Sequence, residues 1–155
     1  MTAEQEADYL PVVVEEYAAE LVRSGSYDES RAIAKSQRSY ASLHEDGEVY
    51  VAAYDGDTWV GVLGYVLKGF DDDPTTEPAL FVYDLDVFVA FRRRGHATEI
   101  LSHAAVLAAD AGAASVLLTV LEGNDGARDV YEANGFHYEA HQMRLPLAVS
   151  PRPVP

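Results

Sequence analysis

The sequence contains no cysteine. That absence excludes disulfides, thiolate nucleophiles and cysteine-bound zinc or iron–sulfur centres. Basic residues are scarce: 11 Lys and Arg stand against 26 Asp and Glu, a formal net charge of −15. So anionic a chain is a poor partner for nucleic acid or an anionic membrane, and it attracts cations. The acidity itself reads first as a solvated surface. The five histidines show no metal-ligand spacing. His137 and His141 lie four apart, but in a segment that reads as strand. No apolar run approaches the ~20 residues of a membrane span, and residues 1–10 are too acidic and polar for a secretory leader. Nucleotide loops of the GxGxxG and GxxxxGK[ST] forms are missing. The expectation is a cytoplasmic protein with no metal, no nucleic-acid partner and no membrane partner.

The chain has 155 residues, 48% of them hydrophobic, enough for a sizeable core in one domain. Residues 1–147 are expected to form that domain and 148–155 a proline-rich tail. Ala7, Leu10, Val14, Tyr17, Ala18 and Leu21 recur at helical spacing, with Pro11 predicting a break or a fresh start. Ser26-Tyr27-Asp28-Glu29 has capping-box form, with Ser26 as cap, and predicts a helix over 27–43. The period then becomes two. Residues 49–54 and 58–67 read as strands joined by the Asp55-Gly56-Asp57 turn, and Gly61 and Gly64 suggest a bulge or close packing. An exposed loop over 69–78 carries Asp71-Asp72-Asp73. Next come a strand over 79–89, a helix over 97–111 ended by Gly112, and a buried strand over 115–121. A helix over 125–133 capped by Asn124 and a last strand over 136–147 complete the order. Hairpins first and alternation later predict an α/β fold. Its sheet is mixed, mostly antiparallel and twisted, with flanking helices and at least one parallel crossover.

Arg92-Arg93-Arg94 puts three of the basic residues side by side, between a strand end and a helix start. Free backbone N–H groups and the helix dipole favour an anion at such a junction. Gly95 and Ala97 let a ligand approach the backbone closely, and arginines add charge-assisted bonds to phosphate. The stretch therefore reads as a diphosphate cradle, with a solvated basic turn as the alternative. Farther on, Asn124 and Tyr131 are seven apart on one helix and share a face. A capping Asn and a core Tyr are the simpler reading of that pair alone.

Together the two clusters point further. Arg92-x-x-Gly95-x-Ala97 after a strand resembles the acyl-CoA-binding motif of the GNAT superfamily of N-acetyltransferases. Asn124-x-x-Ala127-x-x-Val130-Tyr131-x-x-x-Gly135-Phe136 resembles that superfamily's second motif. The likeness runs from Ala79 to Leu147, and the preceding hairpin fits the same fold. His96 and Ala97 stand where the family commonly has a small or aliphatic residue and a second glycine.

The resemblance implies a splayed parallel strand pair with acetyl-CoA slotted between the strands. It implies backbone groups of Leu85, Asp86 and Val87 facing the pantetheine and thioester. Arg92, Arg93, Arg94, Gly95, His96, Ala97 and Thr98 would serve the diphosphate, Asn124 the pantetheine arm, and Tyr131 would sit near the sulfur. The implied reaction is direct acetyl transfer, in a ternary complex, to a primary amine of a small acceptor, with a cationic one favoured by the charge. The Val87 N–H is the candidate donor to the oxyanion and Tyr131 the candidate acid for the leaving thiolate. Asp84, with Asp86 second, is the candidate base, acting through water. An ideal strand points both carboxylates to one face, and the bulge usual in this family would separate them. A charge facing solvent or an arginine is the alternative for either. Two other functions stay open: a non-catalytic acyl-CoA-binding or regulatory domain, and acetylation of a protein or peptide. Dimers are common in the family, and an exposed last strand would support a homodimer.

Overall fold

The computed structural model describes residues 1–41, 47–69, 76–143 and 145. Helices α1 (Ala3–Arg23) and α2 (Glu29–Ala41) lead into strands β1 (Val49–Asp55), β2 (Thr58–Lys68) and β3 (Ala79–Val87). A 3-10 turn at Val89–Phe91, helix α3 (His96–Asp110), strand β4 (Ser115–Leu118) and helix α4 (Asp125–Ala133) follow. The sheet order is β1-β2-β3-β4. The first two pairings are antiparallel and β3–β4 is parallel, which is the expected mixed sheet with flanking helices. The Asp71-Asp72-Asp73 loop and the tail over 148–155 lie outside the described residues.

Thr2 and Gln5 form a reciprocal capping box that starts α1. The expected break at Pro11 is not there, and α1 runs straight through it. Pro11 and Ala7 are both exposed, so water can serve the carbonyl that loses its helical donor. Buried Tyr9, Val13, Ala18 and Leu21 hold the opposite face. The cap of α2 is Asp28, not Ser26. The Asp28 carboxylate accepts from the Arg31 N–H at 3.0 Å and the Ser30 hydroxyl at 2.9 Å, so the helix starts two residues later than expected.

Two apolar layers sandwich the sheet. On one face Leu63, Leu80, Val82 and Val87 pack against Ile100, Ala104 and Ala108 of α3. On the other, Tyr50 and Val62 pack against Tyr9 and Val13 of α1. The register of β2 against β3 steps between Tyr65↔Val82 and Gly64↔Asp84, so Tyr83 is a bulged residue. Its effect is a parity switch. Even-numbered Leu80 and Val82 face α3, and without the bulge Asp84 and Asp86 would follow them into that apolar layer. With it, Val87 faces α3 while Asp84 and Asp86 turn toward α1 and α2. The bulge therefore precedes both aspartates and does not separate them.

The expected last strand is absent among the described residues. Phe136 folds back through its N–H onto the Tyr131 carbonyl, at 3.1 Å. Residues 137–143 that follow are exposed, so their alternation buries nothing. The proposed dimer edge on that strand has no counterpart among the described residues.

Candidate active site

β3 and β4 are bonded only from Ala79↔Ser115 to Val82↔Leu118. Past that rung β3 continues to Val87, while the segment after β4 leaves the sheet at Thr119 toward α4. The parallel pair is thus splayed. A cavity of about 610 Å³ opens at the fork, walled by β3, residues 119–121, α4, α1 and α2.

The Phe88 N–H donates to the Val60 carbonyl of β2 at 3.0 Å. Alternation along a strand then turns the backbone groups of Leu85 and Val87 into the fork. The Asp86 backbone faces the other way: a Cβ on Gly61 of β2 would overlap the Asp86 carbonyl oxygen. Of the three backbones expected on the fork, Asp86 is the exception, and it offers its side chain instead.

Asp84 is the most unusual group in the cavity. Its Oδ2 accepts from the Tyr9 hydroxyl at 2.6 Å and the Tyr40 hydroxyl at 3.3 Å. Burial pushes its carboxyl up to about 6; Asp86 and Glu20 add to the rise, and the two tyrosine bonds oppose it. Asp86 is also raised, by burial and then Glu16, with Arg92 working against them. The Val87 N–H favours the charged Asp86 as well.

Arg92 does not reach out over the turn. Its Nε donates to the Val87 carbonyl at 2.6 Å, and its Nη2 meets Glu16 at 3.1 Å and Asp86 at 3.2 Å. It ties α1 to β3. Arg93, Arg94 and Thr98 are exposed, with the Arg94 guanidinium 5.7 Å from the centre of the Phe91 ring. Gly95 caps α3 with φ 93°, and a Cβ there would meet nothing within 4 Å. The N–H groups of His96, Ala97 and Thr98 form the first turn of α3, where no intrahelical acceptor exists. The His96 ring turns inward. It is buried, 3.3 Å from Glu99 and 3.9 Å from Asp55, and edge-on to Phe91. It is turned away from solvent and packs the turn from beneath.

Asn124 Oδ1 caps α4 by accepting from the Ala127 N–H at 3.2 Å, while its Nδ2 donates to Glu20 at 2.9 Å. Tyr131 is half-buried beside Phe136, and burial, with Glu20 and Asp84 nearby, pushes its hydroxyl up to about 12. Asp84, Asp86, Asn124 and Tyr131 thus line one cavity. Sequence reasoning missed Tyr9, Glu16, Glu20 and Tyr40. The available signal was polar-tipped side chains at helical spacing beside the apolar stripe of α1.

The sequence model of the acetyltransferase (GNAT) family matches residues 11–136, from α1 past the end of α4. The chain belongs to that family. Solved structures agree on the GNAT fold. The candidate acetyltransferase YycN of Bacillus subtilis is 22% identical, with 96% of each chain covered and a TM-score of 0.82. An aminoglycoside 6′-N-acetyltransferase of Acinetobacter haemolyticus is 18% identical over 81% of this chain and 85% of that one, with a TM-score of 0.53. A third, AAC(6′)-Iy in complex with a CoA bisubstrate analogue, is 14% identical over 89% and 93%, with a TM-score of 0.55. No curated protein sequence is significantly similar. Among the described residues no group of His, Asp or Glu could hold a metal ion, and no helix is long and apolar enough to cross a membrane.

Proposed function

We propose that this GNAT protein is an acetyl-CoA-dependent N-acetyltransferase that acts on a primary amine of a small, cationic acceptor. The observation that carries the reading is a half-buried carboxylate, Asp84, and a tyrosine hydroxyl, Tyr131, lining one cavity where two parallel strands part. The residues fit the donor. The fork turns the Leu85 backbone toward the space a pantetheine arm with its amides requires; at Val87 that arm would compete with Arg92 for the carbonyl and with the Asp86 carboxylate for the N–H. The open space over Gly95 and the free first-turn donors of α3 suit a diphosphate. Acetyl-CoA supplies the activated acyl group.

The chain's own residues then have distinct tasks. Asp84, near 6, is ionised at neutral pH yet basic enough to take a proton from an ammonium, directly or through water. Tyr131, near 12, stays protonated and donates to the departing sulfur. The Val87 N–H is the donor for the developing oxyanion, in competition with the Asp86 carboxylate. Glu16, Glu20, Glu48, Asp84 and Asp86 around the cavity outnumber Lys35 and Arg38, which favours a cationic acceptor.

Calorimetric titration with acetyl-CoA, beside the double variant Arg93→Ala/Arg94→Ala, tests the donor site. Saturable binding that the variant weakens supports the cradle. A panel of primary amines, assayed by release of free CoA, then tests transfer. No binding by the folded wild type at millimolar acetyl-CoA overturns the reading.

A further inference from the structure

We propose that Tyr9 and Tyr40 are positioning residues that hold Asp84 by one carboxylate oxygen and reserve the other for the acceptor's proton. This deepens the reading of Asp84 as the base and rests on it. The two hydroxyls come from different helices, α1 and α2, yet both donate to Oδ2, at 2.6 and 3.3 Å. No described group makes a hydrogen bond to Oδ1. Nor does any buried side-chain polar atom lack a partner among the described residues. Oδ1 is therefore not sealed in, and Asp84 lines the cavity.

A carboxylate on a short side chain rotates freely about its last bond, and two donors on one oxygen stop that rotation. Tyr9 is itself fixed, at 2% exposure, with its ring packed near Phe88. The helices that carry the two hydroxyls pack on each other through Ala18, Leu21 and Ala32. Both hydroxyls remain donors, because burial and the Asp84 charge raise Tyr9 and Tyr40 far above the ordinary tyrosine range.

The groups that set Asp84's charge come from every element around it. They are Tyr9 and Glu20 on α1, Tyr40 on α2, Tyr50 on β1, Asp86 on β3 and Tyr131 on α4. Only Tyr9 and Tyr40 bond it. Removing a donor from a carboxylate disfavours its charged form, so the proton is held to higher pH.

The test is Tyr9→Phe and Tyr40→Phe, with Asp84→Asn as reference. The Asp84 carboxyl is followed by carbon NMR against pH in the protein without ligands. In parallel, the pH profile of kcat/KM is recorded with the best acceptor of a primary-amine panel. We expect the Asp84 titration and the acidic limb of the profile to rise together, by about one pH unit in Tyr9→Phe and by less in Tyr40→Phe, whose bond is longer. An Asp84 titration unmoved in both variants overturns the positioning role, even if Asp84→Asn is inactive. A titration that moves while the acidic limb stays, or an active Asp84→Asn, removes Asp84 as the base and the positioning role with it. So does a panel in which no amine is acetylated. Should Tyr9→Phe fail to fold, Tyr40→Phe, at a half-buried site, carries the same comparison.

Discussion

The two side chains proposed as base and acid are pushed apart in acidity by their environments. Asp84 sits near 6 and Tyr131 near 12. One gives up its proton and the other keeps it across the neutral range, as a base and an acid in one site must. Asp86, though on the same strand face, is engaged by Arg92 at 3.2 Å, which works against the rise that burial and Glu16 cause. The expected outcome is therefore unequal. Asp84→Asn should lower kcat/KM by on the order of 10²-fold or more. Tyr131→Phe should lower kcat by ten-fold or more with acetyl-CoA affinity nearly unchanged, read by steady-state kinetics beside calorimetry. Equal kcat for wild type and Tyr131→Phe would remove the hydroxyl from the reaction.

The elements matter because they aim those side chains, and the bulge at Tyr83 is the decisive local feature. It needs Gly64 opposite. A Cβ on Gly64 would lie 2.6 Å from the Tyr50 ring and 3.1 Å from the Asp84 Cβ. Gly64→Ala should thus cost about 1–3 kcal/mol of stability and lower activity by displacing Asp84. Gly126→Ala is the contrast. It lies in α4 with nothing within 4 Å of its Cβ position, so it should leave the melting temperature unchanged or raise it. Equal losses in thermal melts would argue against a special role for Gly64. The comparison also separates what local sequence reveals from what it hides. The turn ending at Gly95 and the Asn124 cap of α4 were legible because a turn and a cap are local chemistry, whereas Arg92, expected on the diphosphate, is held by Val87, Glu16 and Asp86. The glycines at 61 and 64 pointed to close packing, and both positions are indeed closed to a Cβ. The side of the strand that the aspartates face was not legible, since a bulge is a property of two strands. Tyr9 and Tyr40 were invisible for the same reason, lying 75 and 44 residues from their acceptor. The last strand was over-read, because alternation needs a core to face and residues 137–143 have none.

At the scale of the whole molecule, the site is bought at some cost in stability. Asp84, Asp86 and Glu20 all titrate above their ordinary range, mainly through burial. A carboxyl raised in the folded state binds its proton more tightly there than in the unfolded chain. Its stabilising share is fully present below the unfolded value and disappears as pH rises through the folded one. For Asp84 the window runs from 3.8 to about 6, a difference of at most about 3 kcal/mol. Exposed Asp28, lowered by its cap bonds, has the opposite sign, but its loss falls below that window. The net charge of −15 acts in the same direction as Asp84, since self-repulsion eases as acids protonate. The protein should therefore melt several degrees higher at pH 5 than at pH 7.5. Asp84→Asn should raise the melting temperature at pH 7.5 and flatten the slope between those values. Added salt should raise wild type and variant alike, because it screens the surface charge and leaves the buried carboxyl untouched. A variant that melts lower than wild type at pH 7.5, or that keeps the full slope, would show that the strain lies elsewhere than in Asp84. The expected result instead makes Asp84 a group retained for its reactivity against the stability of the fold around it.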